Sequence, residues 1–233
     1  MKFIFLILTM ILSFSMMFET ASAEESPQWI KDLKSSKKAD QIFIVAGIGK
    51  TTAWISMHEK DSNGNWQEIM STPGFIGKNG LGKTREGDGM TPIGIFKFNR
   101  AFGIAEDPGC KAFDYLQVDE NHYWSGDQNL KYNQMIDIRD FPNLNKDDSE
   151  HIADYDPQYT YALNINYNEK GISGKGSAIF LHCFGNVKPY TGGCVAIPAD
   201  KMKFVMQNVK SDCVVVIDYL KNLAPEFYKS LKL

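Results

Sequence analysis

Apolar positions along this chain fall in short runs of β-favouring residue types separated by turn-forming clusters. Ile42-Phe43-Ile44-Val45-Ala46 and Ala53-Trp54-Ile55-Ser56-Met57-His58 are two such runs, and Asn63-Gly64 marks a tight turn before a third, Trp66-Gln67-Glu68-Ile69. Their order predicts a meander of antiparallel strands. Further strands are predicted at Ile95-Phe96-Lys97-Phe98, Tyr115-Leu116-Gln117-Val118, Met135-Ile136-Asp137-Ile138, Tyr161 to Asn166, Ala178-Ile179-Phe180-Leu181-His182 and Cys213-Val214-Val215-Val216-Ile217. One internal stretch has helical spacing instead: Met202, Val205, Met206 and Val209, with Pro198 at a first-turn position and Asp200 beside it. Residues 219–231 are expected to add a terminal helix. Residues 24–40, polar but for Trp29, Ile30 and Leu33, are expected to form a short amphipathic helix or a linker. Residues 71–94 carry so many glycines that they read as loops around one short strand, and residues 140–158 form the longest polar loop. The sum is one mainly-β domain over 41–233, with no internal repeat.

Composition narrows the partners. At 233 residues and 43% hydrophobic, the chain can bury a core without staples. Its net charge is −3 and its lysines are scattered, so it lacks the basic stripe that nucleic acid requires. No lysine-serine or lysine-threonine pair opens a helix after the glycine-rich stretch, which sets nucleotide binding aside. At the N-terminus, Lys2, an apolar run from Phe3 to Phe18 and the small-x-small site Ala21-Ser22-Ala23 before Glu24-Glu25 form a secretory signal peptide over 1–23. The competing reading is an uncleaved membrane anchor. The protein is therefore expected to be exported. Four cysteines (Cys110, Cys183, Cys194 and Cys213) in an exported chain invite a disulfide reading, but if Cys194 must be a free thiolate at most one pair can form.

Candidate chemistry gathers in one segment. An apolar strand ends in His182-Cys183, and a loop then leads to Tyr190-Thr191-Gly192-Gly193-Cys194-Val195, just before the helix that begins near Pro198. An imidazole at a strand end can activate a thiol held on a flexible glycine turn, and the N–H groups of Gly193 and Cys194 could receive an oxyanion. On the residues alone three readings of Cys194 stand open: a nucleophile, a buried or bridged structural cysteine, and a zinc ligand with His182 and Cys183 that lacks an obvious fourth partner. His58, His122 and His151 lie in polar or loop contexts and are read as surface histidines. Trp54, Trp66 and Trp124 are read as core or rim aromatics, and Arg139 as a surface residue.

Residues 177–197 resemble the L,D-transpeptidase catalytic domain, the YkuD-like family, whose mark is a histidine followed by Ser/Thr-x-Gly-Cys-Val/Ile. Here the motif stands as Thr191-Gly192-Gly193-Cys194-Val195. The likeness extends to Gly77-Lys78-Asn79-Gly80, to the stretch from Gly87 to Phe96, to Tyr132-Asn133 and to the run from Gly174 to His182. It thus covers about Ile42 to Val216. The resemblance implies a mainly-β, sandwich-like fold with one helix after the cysteine and short terminal helices. It implies that Cys194 is the nucleophile and His182 its base, that Gly192 and Gly193 belong to the oxyanion-binding loop, and that Thr191 shapes the pocket. It implies acyl transfer at the bond between an L-diamino acid and D-alanine in a peptidoglycan stem tetrapeptide. The alternatives are an L,D-carboxypeptidase and a non-catalytic wall-binding module. No cofactor, metal or specific protein partner is implied. Two departures stand out: Cys183 where many members carry glycine, and Ala196 where many carry a cation that Arg139 is a candidate to replace.

Overall fold

The computed structural model describes residues 24–186 and 188–231. The expected signal peptide over 1–23 lies outside the described residues. The strands are β1 (Glu24–Glu25), β2 (Gln41–Gly47), β3 (Thr52–Lys60), β4 (Trp66–Phe75), β5 (Gly94–Gly103), β6 (Tyr115–Gln117), β7 (His122–Trp124), β8 (Met135–Asp137), β9 (Glu150–His151), β10 (Ala162–Ile165), β11 (Phe180–Cys183), β12 (Val195–Ile197) and β13 (Val214–Tyr219). The helices are α1 (Gln28–Asp32), α2 (Ala199–Asn208), α3 (Leu220–Leu223) and α4 (Pro225–Ser230). The mainly-β expectation holds.

The order β4-β12-β11-β10-β5-β13-β2-β3 closes because β3 also pairs with β4, so eight strands form a barrel. Closure leaves no free edge among these eight. Six of the eight junctions are antiparallel, while β11–β12 and β13–β2 are parallel. Small strands β8, β7 and β9 form a separate three-stranded sheet.

Side chains alternate across the barrel wall as the two-residue period of a strand requires. Phe43 and Val45, Ile55 and Met57, Leu163 and Ile165, Leu181 and Cys183, Val195 and Ile197, and Val215 and Ile217 all enter one interior core. Helix α2 adds Met202, Val205 and Met206 to that core, which is the role its apolar spacing predicts. The run Ile42 to Ala46 is apolar on both faces for a reason: Ile42, Ile44 and Ala46 face outward, where Ile30 of α1 and Leu220 of α3 cover them. Residues 24–40 thus pack onto the barrel through a five-residue helix and a 3-10 turn at Lys34–Lys37.

Two readings of the sequence change here. Strand β4 runs on through Pro73-Gly74 to Phe75, in register with β3, although the glycine content of 71–94 predicts loop there. His58 is 1% exposed instead of lying at the surface, because the N-terminal segment covers its side of β3. Its Nδ1 bonds Ser26 Oγ at 2.9 Å and its Nε2 bonds Ser56 Oγ at 2.8 Å. His122 and His151 are partly exposed and pair with Asp119 and Asp154.

Candidate active site

The parallel pairing of β11 and β12 sets His182 beside Ala196, so Cys194, two residues earlier, falls on the same outward face as His182. Both line one cavity of about 910 Å³, together with Thr191, Gly192, Gly193 and Ala196. Cys183, next to His182, points the other way into the barrel core. All four cysteines are free thiols. Among the described residues no cluster of histidine, cysteine and carboxylate side chains has the arrangement of a metal site.

Cys194 sits at the end of a tightly laced loop. Its carbonyl accepts hydrogen bonds from Thr191 Oγ1 at 2.7 Å and Thr91 Oγ1 at 3.0 Å. Thr191 is in turn bonded to the glycine-rich segment through Lys78 N–H to its carbonyl, and through its own N–H to Ile76 O. Close approach makes glycine necessary at two points. A Cβ at Gly77 would meet Gly89 O at 2.4 Å, and one at Gly193, whose φ is +151°, would meet Met90 O at 2.9 Å. The glycines at 77–89 therefore serve the cysteine loop as well as their own turns.

The His182 Nδ1 lies 2.7 Å from Cys183 O. A carbonyl only accepts, so Nδ1 carries the hydrogen and Nε2 keeps its lone pair. Tyr159 packs edge-on against the imidazole, with ring centroids 5.4 Å apart. The Cys194 thiol donates to Ala178 O at 3.1 Å and accepts from Phe180 N–H at 3.3 Å. Ala178 holds a φ of +53°, unusual for alanine, and its N–H donates to Asn133 Oδ1, which also accepts from the Trp124 indole. In this way Tyr132-Asn133, a segment far from Cys194 in sequence, fixes the carbonyl that orients the thiol.

Both groups are held neutral. Burial pushes the Cys194 thiol up to about 12, with the Glu150 carboxylate adding to the effect and the Phe180 N–H and Lys83 opposing it. Burial likewise pushes His182 down to about 4, against the hydrogen bond to Cys183. The pair thus rests as thiol and imidazole.

The expected oxyanion donors divide. The Gly193 N–H is occupied by Thr191 Oγ1 at 3.1 Å, whereas the Cys194 N–H has no backbone or side-chain partner among the described residues. Of the two, the Cys194 N–H is the donor open to a ligand in this structure. Arg139 does not supply the cation absent at Ala196: its side chain is 65% exposed, bound to Asp137 and outside the cavity. Three lysines line the cavity, Lys78, Lys83 and Lys188; Lys83 is the one held inside, with its side chain 2% exposed and paired with Asp88 at 3.1 Å. Three backbone N–H groups from Thr84, Arg85 and Met90 also bond Asp88, and its carboxyl is held down to about 2. Sequence reasoning passed over Lys83, and over Glu150 and Tyr159, which also line the cavity. The only signal for Lys83 was its place in the glycine-rich stretch.

No curated protein matches the chain. Among solved structures it is similar to the helical cell shape determining protein Pgp2 of Campylobacter jejuni, at 16% identity and a TM-score of 0.40, covering 77% of this chain and 48% of that one. It is also similar to a mutant of the L,D-transpeptidase of Enterococcus faecium, at 13% identity and a TM-score of 0.36, covering 77% and 50%. The chain spans about half the length of these structures. Residues 50–217, most of the described chain, match the YkuD family model, and the protein accordingly belongs to the L,D-transpeptidase catalytic domain family.

Proposed function

We propose that the protein is an exported cysteine acyltransferase that cross-links or remodels peptidoglycan, with Cys194 as nucleophile and His182 as general base. Residues 41–233 would form the catalytic unit behind the N-terminal segment at 24–40. The observation that carries the reading is the shared face of β11 and β12. It sets an imidazole with a free Nε2 and a thiol on one cavity wall, while the tautomer is fixed by Cys183 O. Export rests on the signal-peptide pattern over 1–23, which lies outside the described residues.

The chemistry follows from the neutral resting pair. With a stem peptide in the cavity, Nε2 takes the thiol proton as sulfur attacks the carbonyl of the L-diamino acid/D-alanine bond. The Cys194 N–H receives the developing oxyanion. The imidazolium then gives its proton to the departing amine of D-alanine, leaving a thioester on Cys194 and a neutral His182. An amine from a second stem resolves the thioester into a cross-link, and water resolves it by hydrolysis. Because burial holds His182 down near 4, its Nε2 stays unprotonated well below neutral pH.

Incubation of the mature chain with disaccharide-tetrapeptide, followed by mass spectrometry, tests this. A dimer lighter by one D-alanine marks transpeptidation, and a monomer lighter by one D-alanine marks carboxypeptidase action. Identical product patterns from the wild type and Cys194→Ala sink the proposal.

A further inference from the structure

Five carboxylates line the cavity and the mechanism above uses none of them; Asp147, Asp148 and Asp156 are exposed, whereas Glu86 and Glu150 lie deeper. Glu150 opens the short strand β9, beside Trp124 of β7, and lines the same cavity as Cys194 and His182. Its Oε2 accepts the Tyr159 hydroxyl at 2.7 Å. Its Oε1 accepts no hydrogen bond from any described residue, and no lysine, arginine or histidine among them pairs with it. Of the two deeper ones, Glu86 is already engaged by Tyr132 and Ser177; Asp88, which pairs with Lys83, is outside the lining and is bound by three backbone N–H groups. Glu150 is also flanked by aromatic surface, since Tyr155, Tyr159 and Trp124 line that part of the cavity and Tyr155 stacks on Tyr159 at 4.9 Å.

A carboxylate with a spare lone pair, set among aromatic rings, matches an ammonium group. An amide or a carboxylate ligand would leave that oxygen without a donor of matching charge. The position matters as much as the chemistry. Tyr159 touches both Glu150 and the imidazole of His182, and the Glu150 charge is felt at the Cys194 sulfur, so a cation held there stands beside the thioester.

We propose that Glu150, oriented by Tyr159, is the acceptor-amine site of this cleft, binding the ammonium of the incoming amine and removing its proton before attack. The inference rests on the acyl-transfer reading and deepens it, by assigning a residue to the second half-reaction. The steps balance. The ammonium gives one proton to the Glu150 carboxylate, and the free amine attacks the thioester carbonyl, forming the C–N bond. The proton displaced from that nitrogen passes to His182 Nε2. The C–S bond breaks, the sulfur leaves as thiolate, and His182 returns that proton to it. Glu150 then releases its own proton to solvent. Burial already pushes Glu150 up to about 7, between its roles as anion and as acid.

The test separates the two half-reactions in the mature chain. Disaccharide-tetrapeptide is the donor, and an isotopically labelled disaccharide-tripeptide, which has no D-alanine to lose, is the acceptor probe. The same tripeptide with its side-chain amine acetylated is the control. Wild type should give a burst of D-alanine, followed by turnover that the free amine accelerates and the acetylated probe does not. In Glu150→Gln the burst should persist at no lower rate, while acceptor-dependent turnover falls roughly 100-fold and the acceptor KM rises. Tyr159→Phe keeps the ring against His182 and should weaken the same step by a smaller factor. The proposal is overturned if Glu150→Gln leaves acceptor-dependent turnover intact, if it slows the burst equally, or if no amine accelerates wild-type turnover. Absence of any burst in the wild type overturns the acyl-transfer reading itself, and this inference with it.

Discussion

The barrel contains two parallel strand pairs, and their outward faces differ in what covers them. In β13–β2, the outward residues Ile42, Ile44 and Val216 are apolar and lie under α1 and α3. In β11–β12, the outward residues include His182, Cys194 and Ala196, and they face a cavity of about 910 Å³. The inward faces are alike, since Val215 and Ile217 enter the same core as Leu181, Cys183, Val195 and Ile197. The scaffold is thus repeated while the cover is not, and the proposed chemistry falls where the cover is missing. The contrast extends to two buried histidines. His58 has both ring nitrogens tied to serine hydroxyls, whereas His182 has one tied and one without a partner among the described residues. Burial is common to both histidines; what sets the proposed base apart is a ring nitrogen that faces the cavity.

The largest expected effect sets the two faces of the β11–β12 pair against each other. Cys194→Ala should abolish acyl-enzyme formation, seen as loss of both the D-alanine burst and any carbapenem adduct by intact-protein mass spectrometry. Cys183→Ala, eleven residues earlier and on the inward face, should retain the adduct and the burst. Both thiols are buried and pushed up, to about 12 and about 11, so their titration does not tell them apart. An adduct that survives Cys194→Ala and vanishes with Cys183→Ala would reverse the assignment of faces.

Next in size is a change on the covered pair. Ile44 is fully buried between β2 and the helices, and truncation removes apolar contact and leaves a void. Ile44→Ala should cost about 2–5 kcal/mol in denaturant unfolding. The burst amplitude per folded molecule should stay at the wild-type level. If the variant is stable but loses its burst, the two outer faces communicate and the contrast drawn here is too sharp.

Acid should expose the histidine contrast. His58 is held neutral in the fold and pushed down to about 4 by burial, against an ordinary value of 6.5. Between those values the unfolded chain takes up a proton that the folded chain refuses. Stability should therefore fall as pH drops from 6.5 to about 4, with no further loss from this group below 4. His182 acts in the same direction and window, while Glu150, raised to about 7, works the opposite way between 7 and 4.5. His58→Gln should be less stable than wild type at neutral pH, with the gap narrowing by on the order of 2 kcal/mol at pH 4. A gap independent of pH would mean that His58 takes up its proton as readily in the fold as in the unfolded chain.

The sequence carried some of this and hid the rest for definite reasons. The β2, β3, β5, β10 and β13 runs are long or β-branched enough to be read directly, and the helix after Pro198 has unmistakable spacing. Strand β12 has three residues between a glycine turn and a proline, and β7 has three between polar loops, too few for a period to show. The run Ala178 to Leu181 is apolar at every position, so nothing in it says which face is inward. Cys183 and Cys194 became distinguishable only once the register with β12 was known. His58 alternates correctly away from Met57, but what covers it is residue 26, brought there by the N-terminal segment. Lys83, Glu150 and Tyr159 come from polar loops or short segments whose nearness to Cys194 is set by the whole barrel, and no local pattern announces that.

The smallest expected effect concerns the cation missing at Ala196. A guanidinium in solvent, paired with a neighbouring carboxylate two residues away, neither reaches the cavity nor braces its wall. Lys83 meanwhile already places an ammonium beside the Cys194 loop, close enough that its charge opposes the rise of the thiol. Arg139→Ala should therefore leave the rate of the D-alanine burst and the thermal midpoint where they are in the wild type. Lys83→Met should slow the burst, since the thiolate loses its nearest favourable charge. Should Arg139→Ala slow acylation while Lys83→Met does not, the anchoring cation lies outside the cavity, and substrate must extend over the surface that carries Asp137.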